Sequence, residues 1–213
     1  MQFDMSKENA LYALWCENAV EDPDLVAELK EISDDPEAIR ERFYQDLAFG
    51  TGGLRGVLGA GTARMNIYTV RRATQGLANY VKESFAAPSV AISYDSRIKS
   101  DTFAKAAAAV LAANGIKVHI YTELMPTPML SFAVRALGCS AGIMVTASHN
   151  PAKYNGYKAY GADGCQITLD VANTVISKIN ALDMFHDINT CDFEDAVKNG
   201  MISYIGQDII EDF

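Results

Sequence analysis

Apolar and polar positions change their period along this chain, and the change divides it. Up to residue 46 the spacing is helical: Leu11, Leu14 and Trp15 recur on one face, and Asp22-Pro23 and Asp35-Pro36 each put an N-cap carboxylate before a proline that opens a helix. From Thr69 helical stretches alternate with short apolar runs. The pattern predicts a helix over 69–85, a buried strand over 90–94, and an Ala-rich helix over 102–114 stopped by Gly115. A strand over 116–121, a helix over 129–137 stopped by Gly138, and a strand over 141–145 follow. Strand and helix in this alternation predict parallel pairing with right-handed crossovers. Residues 157–160 and 166–168 read as a further short strand pair, 171–182 as a helix and 201–205 as a strand. Residues 207–213 read as an apolar-acidic helix start that stops without a cap, the expectation for a truncated chain. No internal repeat or low-complexity linker interrupts the series.

Bulk composition narrows the classes. A chain of 213 residues, 49% of them hydrophobic, can bury one well-formed core with some excess. No apolar run approaches the roughly 18 residues of a membrane span, and the first residues have neither a basic nor an apolar signal region. These features lead to the expectation of a cytoplasmic protein. The formal charge of −9 disfavours nucleic acid and anionic membranes as partners, so an anionic substrate would need a local basic pocket. The four cysteines, Cys16, Cys139, Cys165 and Cys191, form no Cys-x-x-Cys pair and suit reduced thiols better than a disulfide frame or zinc site.

The chemistry concentrates in residues 143–160, where an apolar strand runs into the polar loop Thr146-Ala147-Ser148-His149-Asn150-Pro151 and then Tyr154-Asn155-Gly156-Tyr157-Lys158. A nucleophile on a loop leaving a buried strand is where α/β sheets place reactive groups. Ser148 is that candidate. His149 adjoins it and so makes a poor serine-hydrolase dyad, and no Gly-x-Ser-x-Gly elbow is present. A turn at Asn155-Gly156 is expected to return Lys158 toward Ser148, where a desolvated lysine could act as general base or acid. A second segment, Phe49-Gly50-Thr51-Gly52-Gly53-Leu54-Arg55-Gly56, combines glycines that let backbone approach an anion with the donor fork of Arg55. It fits neither a dinucleotide-binding fingerprint nor a P-loop. Asp95 and Arg97 end the first parallel strand, either as a phosphate contact or as a structural ion pair. Pro126-Thr127-Pro128 has a backbone role, and His119 and His186 read as structural.

Thr-Ala-Ser-His-Asn-Pro followed by Asn-Gly-Tyr-Lys resembles the phosphoserine loop of the α-D-phosphohexomutases, the phosphoglucomutase and phosphomannomutase family. The glycine-rich segment resembles that family's Gly-Thr-x-Gly-x-Arg-Gly. The resemblance implies a three-layer α/β/α sandwich with a mainly parallel mixed sheet over 47–205. A helical extension over 1–46, similar to the phosphoglucomutase-2/phosphopentomutase branch, would precede it, and 206–213 would begin a link to a second domain. It implies that phospho-Ser148 passes its phosphoryl group to a sugar monophosphate and recovers one from a bisphosphate intermediate, moving phosphate between C1 and C6 or C5. By the same resemblance Arg55 and Lys158 exchange protons and His149 lies at the nucleophile loop. Thr51, Gly52, Asn150, Asn155 and Arg97 would hold substrate phosphate, and Mg2+ would sit on the phosphoserine. A glucose 1,6-bisphosphate-type activator is implied too. The family's Asp-Gly-Asp-x-Asp-Arg metal loop and its two later sugar- and phosphate-binding loops are absent; the only Asp-Gly, Asp163-Gly164, is followed by Cys165-Gln166. The chain is therefore expected to be the first domain of such an enzyme, to need the remaining domains of the same polypeptide, and to be inactive by itself. A non-catalytic sugar-phosphate-binding or regulatory module of the same fold stays open beside this reading, and a serine hydrolase is the third class.

Overall fold

In the computed structural model, which describes residues 5–213, three short helices open the chain: α1 (Ser6–Asn18), α2 (Pro23–Glu31) and α3 (Pro36–Phe43). The first four residues, part of the stretch without signal character, lie outside the described residues. Asp22 and Asp35 cap α2 and α3 as their Asp-Pro steps predict, accepting from the amides of Asp24 and Ala38. These helices have no core of their own. Trp15, Leu25, Leu29, Ile39 and Phe43 are buried in the same apolar cluster as the central sheet.

The alternating elements follow as β1 (Gly53–Val57), α4 (Ile67–Ser84), β2 (Ser89–Tyr94), α5 (Ser100–Ala113), β3 (Lys117–Ile120), α6 (Thr127–Ala136), β4 (Ala141–Val145) and β5 (Tyr154–Gly161). Then come α7 (Leu169–Asn180), α8 (Phe193–Lys198), β6 (Ile202–Tyr204) and α9 (Gln207–Glu211). The sheet runs β1-β5-β4-β2-β3-β6. The four strands β4, β2, β3 and β6 run parallel to one another, while β5 is antiparallel to both β4 and β1. Helices cover both faces, so β4 is buried at every residue and reads as one continuous apolar run. Strand residues divide by parity: Val90, Ile92, Ile143 and Tyr157 pack toward the larger cluster, Ala91, Met144 and Tyr160 toward a second one with α6. The fold is the three-layer α/β/α sandwich with a mainly parallel mixed sheet that the sequence led us to expect.

Five local features differ from the sequence reading. Residues 53–57, read as loop, form an edge strand, and the short helix α8 was not anticipated. Helix α4 starts at Ile67 instead of 69, because Asn66 accepts from the amides of Tyr68 and Thr69 while Thr69 closes a reciprocal capping box. Residues 166–168 contribute only an isolated bridge between Tyr160 and Gln166. Asn155 and Gly156 lie inside β5; the reversal comes earlier, where the Tyr154 amide donates to Pro151 O at 2.9 Å. No described helix is long and apolar enough to cross a membrane, and all four cysteines are free.

Candidate active site

The carboxyl ends of β2 and β4 are neighbours, and the loops leaving them meet. Asp95 follows β2. Its carboxylate accepts the Arg97 amide and the Ser100 hydroxyl on one oxygen, both at 3.1 Å, and the Thr146 hydroxyl on the other at 2.5 Å. Thr146, having donated its proton, accepts the Ser148 amide at 3.0 Å. Asn150 returns its own amide and its side chain to Ala147 O, at 3.1 and 2.9 Å. These bonds hold Ser148 in the left-handed region, φ 54°, which costs a non-glycine residue about 1 kcal/mol, and leave the residue exposed.

Arg97 seals this geometry. Its guanidinium donates to four loop carbonyls: Ser148 O at 2.5 Å, Asn150 O at 2.6 Å, Tyr154 O at 3.0 Å and Pro151 O at 3.2 Å. Its Nε stands 3.9 Å from Asp95 Oδ2. Of the two sequence readings, phosphate contact or structural pair, these bonds favour a structural part: Arg97 braces the loop, its fork occupied by backbone oxygens. Asn155 differs from expectation. It is fully buried, and its amide donates to Ile98 O and Ser100 Oγ, both at 3.0 Å, so it ties β5 to the segment after β2.

On the other side of Ser148 opens a cavity of about 470 Å³ lined by Thr51, Gly52, Arg55, Thr146, Ser148 and Lys158 among others. Arg55 comes from β1 and Lys158 from β5. In that register Gly53 faces Lys158 and Arg55 faces Gly156, so the two cations share one face of the sheet, diagonal neighbours whose Cα atoms are roughly 7–8 Å apart. Neither side chain has a hydrogen-bond or ion-pair partner among the described residues. The other described arginines are all engaged, which leaves Arg55 as the one uncommitted guanidinium. No carboxylate lines this cavity, although the chain carries −9 overall. A partly enclosed, acid-free pocket with two free cations is an anion site by its electrostatics.

Two glycines make the approach possible. At Gly53, φ 151°, an added Cβ would overlap Tyr157 O, and at Gly156 it would lie 2.5 Å from Thr146 O. Bare backbone lets β1, β5 and the nucleophile loop come together. Gln166 was missed by sequence reasoning: the turn of residues 161–165 brings it against Gly52, at the pocket wall. Its signal was available in Asp163-Gly164, which builds that turn, with Gly164 at φ 77° and Asp163 Oδ1 accepting the Cys165 amide. A second cavity, about 430 Å³, flanks Ser148 on the Arg97 side and includes Asn150. His149 is exposed and lines neither cavity.

The family model described as phosphoglucomutase/phosphomannomutase, alpha/beta/alpha domain I, matches residues 46–185. The chain belongs to this family. Within the phosphoglucomutase/phosphomannomutase family it is similar to a phosphoglucomutase of Staphylococcus haemolyticus, 45% identical over 76% of this chain and 32% of that protein. It is 46% identical to a probable phosphoribomutase of Schizosaccharomyces pombe over 63% of this chain and 24% of that one. Among solved structures, a phosphomannomutase homologue from Thermus thermophilus superposes with a TM-score of 0.62 at 32% identity, covering 69% of this chain and 32% of that chain. The chain thus spans about a quarter to a third of the length of these relatives. The phosphoglucomutase/phosphomannomutase match begins at residue 46, after the three opening helices, and includes Arg55, Ser148 and Lys158.

Proposed function

We propose that the chain is the phosphoryl-carrying part of a sugar-phosphate mutase in the phosphoglucomutase-2/phosphopentomutase branch, with Ser148 as the carrier. Its parts are a helical extension over 1–46, the serine-bearing domain over 47–205 and the start of a link over 206–213. The observation that carries the reading is that Ser148 and the unpartnered Arg55 and Lys158 line one acid-free pocket. A phosphoserine places roughly −1.5 to −2 charges there. The two cations offset that charge, and Thr51 and Gly52 offer backbone close to its oxygens.

In the forward half-reaction a sugar hydroxyl gives up its proton as phosphoryl transfer proceeds, with Lys158 in the part of proton-transfer partner. The hydroxyl oxygen bonds to phosphorus as the Ser148 Oγ–P bond breaks. Arg55 is the partner that returns a proton to the Ser148 oxygen. After the bisphosphate reorients, the reverse sequence rephosphorylates Ser148, so phosphate moves between C1 and C6, or C5 of a pentose. Mg2+ is the family's general requirement, yet no group of three or more His, Cys, Asp or Glu among the described residues could hold a metal ion. Asp95, which anchors the nucleophile loop, already accepts three hydrogen bonds. The described residues alone therefore do not make a magnesium site, and phospho-Ser148 would be one ligand beside oxygens from the remaining domains. A sugar monophosphate is the substrate and a glucose 1,6-bisphosphate-type compound the activator.

The test is phosphopeptide mapping after treatment with glucose 1,6-bisphosphate, magnesium and the remaining domains of the polypeptide. Phosphate is expected on Ser148 and absent from Ser148→Ala. Labelling that persists in the alanine variant removes Ser148 from the reaction. Sugar-phosphate binding with no labelling of the wild-type chain would replace the mutase with a binding module.

A further inference from the structure

Ser148 and Lys99 are the two non-glycine residues with positive φ among the described residues, at 54° and 62°, and one strap of chain joins them. Residues 95–100 connect β2 to α5. Asp95 holds Thr146 and Arg97 holds the Ser148 loop, while the carbonyl of Ile98 and the hydroxyl of Ser100 receive Asn155. Lys99 on this strap turns away from the loop. Its ammonium pairs with Asp22 Oδ2 at 2.7 Å and Asp24 Oδ2 at 2.8 Å, both at the start of α2 in the N-terminal extension. Asp22 is 11% exposed and also caps α2 through its other oxygen, so its position is set from two sides. Lys99 also borders a cavity of about 220 Å³ lined by Leu25, Leu58, Met65 and Phe103 among others. The left-handed backbone at Lys99 is unfavourable for a lysine, and the paired carboxylates supply the local attraction that offsets it.

We propose that Lys99, gripped by Asp22 and Asp24, is a positioning residue for the nucleophile loop, so that the N-terminal extension sets the conformation of Ser148. The extension lines neither the Arg55–Lys158 pocket nor the cavity on the Arg97 side of Ser148. It acts through Lys99, then through Arg97 two residues away and its four carbonyl contacts. That the positioned serine carries phosphate rests on the mutase reading; the mechanical coupling does not.

The experiment measures solvent exchange of the Ser148 and Asn150 amides by NMR in the 213-residue chain. Lys99→Met removes the charge and keeps the stem; Asp22→Asn removes the charge and keeps a good N-cap, so this variant decides the matter if the first fails to fold. Lys99→Met, which removes both partly exposed ion pairs, is expected to speed loop exchange about fivefold, and Asp22→Asn, which removes one of them, about twofold, with amides of β2 and α4 unchanged. Lys99→Arg should restore the wild-type rates. Wild-type loop exchange should also rise with salt, and Lys99→Met, which lacks both pairs, should have lost most of that dependence. Loop rates unmoved in a folded Asp22→Asn variant overturn the proposal. With the remaining domains present, the same variants should slow phosphoryl transfer to Ser148 with little change in substrate KM. If the wild-type chain accepts no phosphate, the functional reading fails while the exchange data still decide the coupling.

Discussion

Arg55 and Arg97 are the same residue type and both stand beside Ser148, yet their surroundings give them opposite work. Arg97 is 15% exposed and bonded to four carbonyls; Arg55 is exposed and bonded to nothing described. A free guanidinium contributes little to the fold, whereas in a pocket it can stabilise a transferring phosphoryl group. Arg55→Ala is therefore expected to leave thermal stability within about 0.5 kcal/mol of wild type. It should slow phosphoryl transfer to Ser148 by roughly 10²- to 10³-fold, as removal of one charge-stabilising donor does elsewhere. Differential scanning calorimetry and single-turnover labelling measure the two sides; a large stability loss would mean that Arg55 is structural. Residue types pointed to Ser148, Lys158 and Arg55 without the fold, because their chemistry and their motifs were visible in order along the chain. The same reasoning left Arg97 between a phosphate contact and a structural pair with Asp95, and it did not foresee the scaffold bonds of Asn155. Both are polar and both flank the loop, and no sequence pattern says whether a donor meets substrate or backbone.

Among the elements, β1 is the one that the hydrophobic pattern hid. Gly53-Leu54-Arg55-Gly56-Val57 has low strand propensity and reads as a flexible loop. It becomes a strand because β5 offers an unpaired edge and because glycines at 53 and 156 remove the side chains that would separate the two. Gly53→Ala drives a methyl group into Tyr157 O on a backbone with φ 151°. We expect a loss of about 3 kcal/mol or more, read as a lowered denaturation midpoint in urea. Exchange of the β1 and β5 amides should rise more than that of β2, since the lesion separates an edge strand. An unchanged midpoint would show that β1 contributes nothing to the fold. The parallel core was easier to read. β2, β3 and β4 are short apolar runs divided by helices with glycine stops, and burial on both faces leaves that signature in any register.

Across the whole molecule, the extension is held by an aromatic cluster and by ion pairs of different kinds. Trp15 meets Phe43, Tyr68 and Phe185 edge-on, with ring centroids 5.6–5.8 Å apart. Nearby, Glu21 takes a bidentate pair from Arg71, both bonds 2.7 Å, and Asp24 takes Lys99. The hydrogen bond from Arg71 holds the Glu21 carboxyl below its ordinary 4.5 against the opposing effect of burial, and the Lys99 bond holds Asp24 below 3.8. Carboxyls depressed in the folded state stabilise it above their ordinary values, and that contribution fades as pH falls through the folded values. Acidification below 4.5 and then 3.8 should therefore loosen the extension first. Emission of Trp15, the single tryptophan, should shift to the red in that window while far-UV dichroism of the sheet persists. Simultaneous loss of both signals would mean that extension and sheet unfold as one unit.

By itself the sequence determined the alternation of strands and helices and the capped starts of α2 and α3, and it pointed to a candidate nucleophile and two cations. Those depend on periodicity, on local capping chemistry and on residue type, which are properties of neighbours in the chain. Only the tertiary structure decided that Arg55 and Lys158 share one face beside Ser148, that Arg97 and Asn155 serve the scaffold, and that Lys99 ties the strap beneath the loop to the extension. Each of these outcomes depends on which backbone arrives from far along the chain, and on whether it brings carbonyls, carboxylates or open space to a given donor. A polar side chain has the same letter in all three cases; its partner is set by packing.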